Sequence, residues 1–82
     1  MSVKTIEAIA KRLSDLLEEK KISQYLLCKK VAIDASNIYN IIYKRTKSIT
    51  LNNLLLICDG LGITVQEFFS TPLFCRENLE ID

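Results

Sequence analysis

The sequence predicts an all-α fold of five helices followed by a short C-terminal tail. Only two glycines and one proline occur among the 82 residues, so the turn residues that a β-rich fold needs are scarce. Apolar residues recur three and four positions apart, which is the spacing of a single helix face. Serine, threonine or aspartate stands at the start of the periodic segments, where these residues cap helices. We therefore expect one helical domain over residues 1–72 and a tail over residues 73–82.

The first helix is predicted over residues 5–21. Thr5 is the expected N-cap, and the acidic Glu7 in the first turn suits the positive end of the helix dipole. Lys20 and Lys21 suit the negative C-terminal end in the same way. The apolar stripe consists of five residues at helical spacing: Ile6, Ile9, Leu13, Leu16 and Leu17.

Two short helices follow, joined by a three-residue connector. Ser23 is the expected cap of a helix over residues 24–31, and Asp34 ends the connector and is expected to cap a third helix over residues 35–43 or 44. Local propensity in the third segment favours a strand, because it is rich in β-branched and aromatic residues. We predict a helix because a lone strand has no pairing partner and Ile38, Ile41 and Ile42 share one helix face.

The fourth and fifth helices are predicted over residues 51–61 and 65–70. Thr50 and Thr64 are their expected caps, and Gly62 is the expected left-handed residue that ends the fourth helix. Four residues of the fourth helix are expected to face inward: Leu54, Ile57, Cys58 and Leu61. Phe68 and Phe69 are expected to pack back from the fifth. Pro72 is expected to end regular structure, although the tail still holds four apolar residues: Leu73, Phe74, Leu79 and Ile81.

The composition disfavours several classes of protein. The chain has no histidine, so the commonest general base and metal ligand is missing, and no nucleophile–base pair is visible. We predict no catalytic residues, no metal site, no cofactor and no small-molecule ligand. The three cysteines form no CxxC pair and suit no disulfide framework, which is typical of a reducing cytosol. No apolar run approaches the roughly 18 residues of a membrane span, and no secretory signal is visible, so a cytoplasmic protein is expected.

A longer pattern runs from residue 22 to residue 69. It begins Ile-Ser-Gln-x-x-Leu-Cys, continues Val-Ala-Ile-Asp-x-Ser-Asn-Ile and, beyond a basic loop, ends Leu-Gly-Ile-Thr-x-x-x-Phe-Phe. This pattern resembles the phage-repressor type of helix-turn-helix domain, the Cro/cI or XRE-like family, although Ala32 stands where that family commonly has glycine. The matching positions are Ser23, Gln24, Leu27, Ile33, Ile38, Leu54, Leu61, Gly62 and Phe68.

The resemblance implies a sequence-specific DNA-binding transcriptional regulator whose third helix enters the major groove of double-stranded DNA. Asn40 is the best candidate for a base contact, because a side-chain amide can pair bidentately with adenine. The implied base-contact set is Ala35, Ser36, Asn37, Tyr39 and Asn40. The implied phosphate-contact set is Gln24, Tyr43, Lys44, Arg45, Thr46 and Lys47.

A regulator of this kind is expected to bind as a homodimer, with two half-sites about 34 Å apart on a two-fold symmetric site. Leu56 is expected to face solvent, because the other apolar residues of its helix already fill the inner face. The expected dimer surface consists of Leu56, Phe69, Leu73 and Phe74. In one alternative the tail folds back over its own helix instead. In another the chain is a helical adaptor or antitoxin-type protein-binding module that keeps the repressor-like fold.

The net charge of +1 hides a polarised distribution. Residues 1–50 contain ten Lys and Arg against five Asp and Glu, a net charge of +5. Residues 51–82 contain one arginine against five acids, a net charge of −4. Because salt screens charges beyond about 8–10 Å, a phosphate backbone responds to the nearby half of the molecule and not to the total. The small net charge is therefore compatible with DNA binding.

Overall fold

A computed structural model describes residues 3–80 of the chain, which form a small helical domain. Residues 1–2 of the predicted domain and residues 81–82 of the predicted tail, including Ile81, lie outside the described residues. The helices are α1 (Thr5–Lys20), α2 (Gln24–Lys30), α3 (Ala35–Ile42), α4 (Leu51–Leu61) and α5 (Val65–Phe68). No helix within residues 3–80 is long and apolar enough to span a membrane.

Three of the predicted N-caps are confirmed by hydrogen bonds. The Ser23 hydroxyl accepts from the Leu26 amide at 3.0 Å, so α2 begins where its sequence predicts. Thr50 and Thr64 accept from the amides three residues further on, at 3.2 and 3.1 Å, and cap α4 and α5. Each bond satisfies one of the amides that a helix start leaves without an intrahelical partner.

One predicted cap is wrong, and another occupies its predicted position without a side-chain hydrogen bond. Thr5 is already the first residue of α1, and Lys4 occupies the N-cap position in an extended conformation. The Lys4 amide donates to the Glu7 carboxylate at 3.3 Å, so Glu7 orders this helix start without help from a threonine hydroxyl. Asp34 does occupy the N-cap position of α3, but its side chain accepts no cap hydrogen bond. Its backbone carbonyl accepts from the Asn37 amide instead.

Three helices end on a left-handed residue. Gly62 ends α4 with φ 74°, as predicted, and Lys21 and Lys44 adopt φ 57° and 58° beyond α1 and α3. At each end the next amide reaches back five residues, as in the bond from the Arg45 amide to the Asn40 carbonyl at 2.7 Å. This is the Schellman arrangement, in which glycine is the usual left-handed residue. A lysine there carries a conformational cost of about 1–2 kcal/mol.

The core lies between α1, α3 and α4, with Phe68 of α5 fully buried. The third segment is a helix and not a strand, and Ile38, Ile41 and Ile42 are buried on one face, which confirms the prediction. The inward residues predicted for α4 are also buried. The core therefore holds α3 by one apolar face and leaves its opposite face to solvent.

The turn between α2 and α3 needs no glycine. Within the described residues, positive φ values away from glycine occur at Lys21 and Lys44, so Ala32 sits in the turn without left-handed strain. The glycine that the packing requires lies elsewhere, in α4. A β-carbon at Gly60 would overlap the Val31 side chain at the end of α2, so Gly60 allows α2 and α4 to approach closely.

The expectation that Pro72 ends regular structure is wrong. Two short 3₁₀ helices, Pro72–Phe74 and Arg76–Asn78, are followed by a strand, β2 (Leu79–Glu80). This strand pairs in parallel with β1 (Val3–Lys4) at the opposite end of the chain. The tail also packs on α1, so it folds back on its own domain, as one alternative anticipated. Its apolar residues provide the physical reason, because they gain burial against α1 and α5.

Candidate nucleic-acid interface

The outer face of α3 carries the polar side chains predicted to read DNA. Ser36, Asn40 and Tyr43 are spaced four and three residues apart, so they lie in a row opposite the buried isoleucines. Ser36 and Tyr43 are exposed and Asn40 is half-buried. The other predicted base-contact residues flank this row: Ala35 and Asn37, both exposed, and Tyr39, which is half-buried.

A shallow polar groove continues from α3 toward the start of α4. Asn37 and Asn40 line it on the α3 side, and Asn53 lines it on the α4 side. The loop between the helices supplies the remaining polar lining: Thr46, Ser48 and Thr50. Sequence reasoning missed Ser48 and Asn53, because no local pattern indicates which residue of α4 faces the recognition helix.

Tyr43 connects three of the predicted contact residues at the end of α3. Its hydroxyl donates to the side-chain carbonyl of Gln24 at 3.3 Å, which links the end of α3 to the start of α2. Its ring stacks on Tyr39 with a centroid separation of 6.4 Å. The Arg45 guanidinium also lies over the Tyr43 ring, 5.6 Å from its centroid. The Tyr43 ring thus contacts Tyr39, a predicted base-contact residue, and two predicted phosphate-contact residues, Gln24 and Arg45.

The basic loop after α3 presents its charges to solvent. Lys44, Arg45 and Lys47 are exposed, and the left-handed backbone at Lys44 turns the chain so that Arg45 meets Tyr43. Thr46 is half-buried, and its hydroxyl donates to the Ser48 carbonyl at 3.1 Å. The loop therefore exposes three cationic side chains, which suits contact with a phosphate backbone.

Not every basic residue of the N-terminal half is available to a ligand. The Arg12 guanidinium donates to the carbonyls of Glu67 and Phe68, both at 2.8 Å, and so joins α1 to the end of α5. Lys11 pairs with Asp15 at 2.7 Å on the exposed side of α1. Arg12 and Lys11 are therefore engaged within the domain, whereas the lysines and arginine of the loop after α3 are exposed.

Two protonated side chains near the core, Tyr39 and Cys58, have raised pKa values. The pKa of the Tyr39 hydroxyl is raised, first by the nearby Cys28 thiol, whose ionised form would repel a tyrosinate, and second by desolvation. Burial raises the pKa of the Cys58 thiol, so this thiol remains protonated in the core. Among residues 3–80, no three His, Cys, Asp or Glu side chains come together in a group that could hold a metal ion.

Comparison with known families settles the class of this fold. A model of the Cro/C1-type helix-turn-helix DNA-binding domain matches residues 12–72, well over half of the chain. The chain belongs to this family. The Cro/C1-type match includes the whole of α2–α5 and most of α1, so the two helices of the turn and the basic loop all lie inside it. A search of curated proteins and a search of solved structures each found no match.

The four residues of the predicted dimer surface differ in their exposure to solvent. Phe69 is 40% exposed, whereas Leu56, Leu73 and Phe74 are half-buried. The fifth helix ends at Phe68, two residues before its predicted end, and the Phe69 ring packs edge-on against Phe68 and Phe74, with centroid separations of 5.3 and 4.7 Å. The expectation that Leu56 faces solvent is wrong, because its side chain is half-buried; its neighbour Leu55 on α4 is 44% exposed. Leu51, at the start of the same helix, is 66% exposed.

Proposed function

We propose that this DNA-binding domain is a sequence-specific transcriptional regulator that reads the major groove with α3. The observation that carries the proposal is the outer face of α3, where Ser36 and Asn40 are spaced four residues apart, opposite the buried stripe. Serine and asparagine both donate and accept hydrogen bonds, and an asparagine amide matches the donor and acceptor of adenine. A helix bearing them on an accessible face has the chemistry that base-edge recognition requires.

Phosphate contacts on both sides of α3 would set the register of the domain on the duplex. Gln24 stands at the first position of α2, where its side chain and the helix amides suit an anionic oxygen. Lys44, Arg45 and Lys47 supply cations at the other end of α3. Contacts of this kind position a protein on DNA without reading its sequence.

A homodimer completes the proposal, because a single short helix reads only one half-site. Exposed apolar side chains on the acidic half of the chain support this step: Leu55 and Phe69. These residues belong to α4 and the end of α5, whereas the basic loop directly follows α3. Two copies joined through the acidic half would leave both copies of α3 free to face one duplex.

The salt dependence of binding separates this proposal from the protein-binding adaptor. A fluorescently labelled duplex of mixed sequence, about 30 base pairs long and so long enough to span two half-site positions, is titrated with the protein at increasing salt. We expect log K to fall linearly with log salt, with a slope of about −0.9 for each phosphate contacted. No measurable binding at low salt would contradict DNA binding and favour the adaptor.

A further inference from the structure

Lys4 lies beside the basic loop although 40 residues separate it from Lys44 in the sequence. A surface cleft of about 330 Å³ is lined by three lysines, Lys4, Lys44 and Lys47. Ile6, Glu7 and Thr46 complete its lining. Lys4 and Lys47 also line a second, adjoining cleft with Ser48. The start of α1 and the loop after α3 therefore form one continuous basic surface.

The C-terminal tail restrains the strand that carries Lys4. In the parallel pair of β1 and β2, Val3 is opposite Leu79 and Lys4 is opposite Glu80. Leu73 lines a cleft with Val3 and Lys44, so the tail also packs close to the basic loop. The backbone of Lys4 is thus held from one side by β2 and from the other by the first turn of α1.

The three ammonium groups in this cleft are not neutralised by ion pairs. Within residues 3–80 the ion pair found is Lys11–Asp15, which lies outside the cleft lined by Lys4. Glu7 contributes one negative charge to the lining, but its carboxylate accepts from the Lys4 amide. The lining of the cleft therefore carries three positive charges against one negative charge, and Glu80, opposite Lys4 in the strand pair, adds one further acid, so positive charge remains for an external anion.

We propose that Lys4 is an additional phosphate-contact residue, and that the tail strand β2 positions it as part of a surface shared with Lys44 and Lys47. The partner is the sugar–phosphate backbone of the same duplex, beyond the end of α3. This inference rests on the proposed function, because it extends the DNA interface from the helix-turn-helix to the two ends of the chain. It gives the tail a function other than self-association.

The test compares variants that change the net charge by one unit at different places. Lys4→Gln removes the proposed contact, and Lys20→Gln is the matched control, because Lys20 is exposed at the far end of the same helix. Glu80→Gln removes the acid opposite Lys4 in the strand pair. Binding of each variant to a labelled mixed-sequence duplex is measured across salt concentrations, and circular dichroism confirms that each variant keeps its helices.

We expect Lys4→Gln to lower the magnitude of the salt slope by about 1, whereas Lys20→Gln leaves it unchanged. Between 50 and 200 mM salt the parent would then lose about fourfold more affinity than Lys4→Gln. Glu80→Gln is expected to bind more tightly than the parent. Equal slopes for Lys4→Gln and Lys20→Gln, with a parent that binds DNA, would overturn this inference alone. A parent that fails to bind at low salt would overturn the proposed function as well.

Discussion

The Tyr43 hydroxyl donates a hydrogen bond to the side-chain carbonyl of Gln24 at 3.3 Å, joining the last turn of α3 to the first turn of α2. Because that carbonyl is engaged, the NH₂ group of Gln24 is left to donate outward. A phosphate oxygen accepts hydrogen bonds but cannot donate them, so this amide orientation is the one that suits a phosphate contact. The two helices of the turn are thus coupled through the residue proposed to hold the DNA backbone.

Removal of the Tyr43 hydroxyl tests this coupling. Tyr43→Phe keeps the ring that stacks on Tyr39 and meets Arg45, but it frees the Gln24 amide to rotate. We expect weaker binding to all duplexes by about 0.5–1.5 kcal/mol, with an unchanged salt slope because no charge is lost. Anisotropy titrations measure both quantities. In the double variant Tyr43→Phe with Gln24→Ala, we expect the loss of binding free energy to be smaller than the sum of the losses in the two single variants. Full additivity would contradict the coupling.

The two left-handed lysines provide a matched pair of variants. Lys44→Gly and Lys21→Gly each relieve a positive φ and each remove one charge. We expect the free energy of unfolding to rise by about 0.5–1 kcal/mol in both variants, because glycine adopts this conformation without a steric cost. Only Lys44→Gly should also lose DNA affinity and reduce the salt slope by about 1. Equal affinities for the two variants would show that the loop does not contact phosphate.

Arg12 is predicted to stabilise the fold and not to bind DNA directly. Its guanidinium holds two carbonyls at the end of α5, so Arg12→Gln should lower the free energy of unfolding by about 1–3 kcal/mol. Lys11→Gln is the control on the adjacent residue, and it breaks an exposed ion pair that contributes at most about 1 kcal/mol. Urea denaturation measures the free energy of unfolding of both variants. An Arg12→Gln variant as stable as Lys11→Gln would contradict this role.

Self-association should depend on the exposed apolar residues of α4. Leu55→Gln is expected to shift sedimentation toward the monomer, because it removes an apolar side chain from the proposed dimer surface. Leu26→Gln is the control, since Leu26 on α2 is exposed to a similar degree, 41% against 44%. A dimer that resists Leu55→Gln but dissociates with Leu26→Gln would place the interface on α2. A parent that is monomeric at tens of micromolar would contradict dimerisation.

The parts of the fold that sequence predicted well are those that local chemistry controls. Ser23, Thr50 and Thr64 cap helices through amides only three residues away, and the isoleucines of α3 share a face because of helix geometry. Such features depend on neighbours within one or two turns. They are therefore visible in a short window of sequence.

The features that sequence reasoning missed depend on distant contacts or on unusual backbone. The pairing of Lys4 with Glu80 joins the two ends of the chain, and no local pattern indicates it. The left-handed Lys44 was missed because glycine is the usual signal for that conformation. Leu56 is half-buried although the inward face of α4 is as predicted, so helix periodicity alone does not give the exposure of the remaining side chains. The left-handed conformation of Lys44 sets the direction in which the basic loop leaves α3.

Selection of binding sites from random duplexes, with the parent and Asn40→Ala in parallel, tests the central claim most directly. Asn40 lies on the outer face of α3, and its amide suits adenine. We predict that the parent enriches a two-fold symmetric motif, and that Asn40→Ala loses preference at one base pair in each half-site, at a cost of about 1–3 kcal/mol. Failure of the parent to enrich any motif, or an identical motif for both proteins, would contradict base reading by Asn40 on α3.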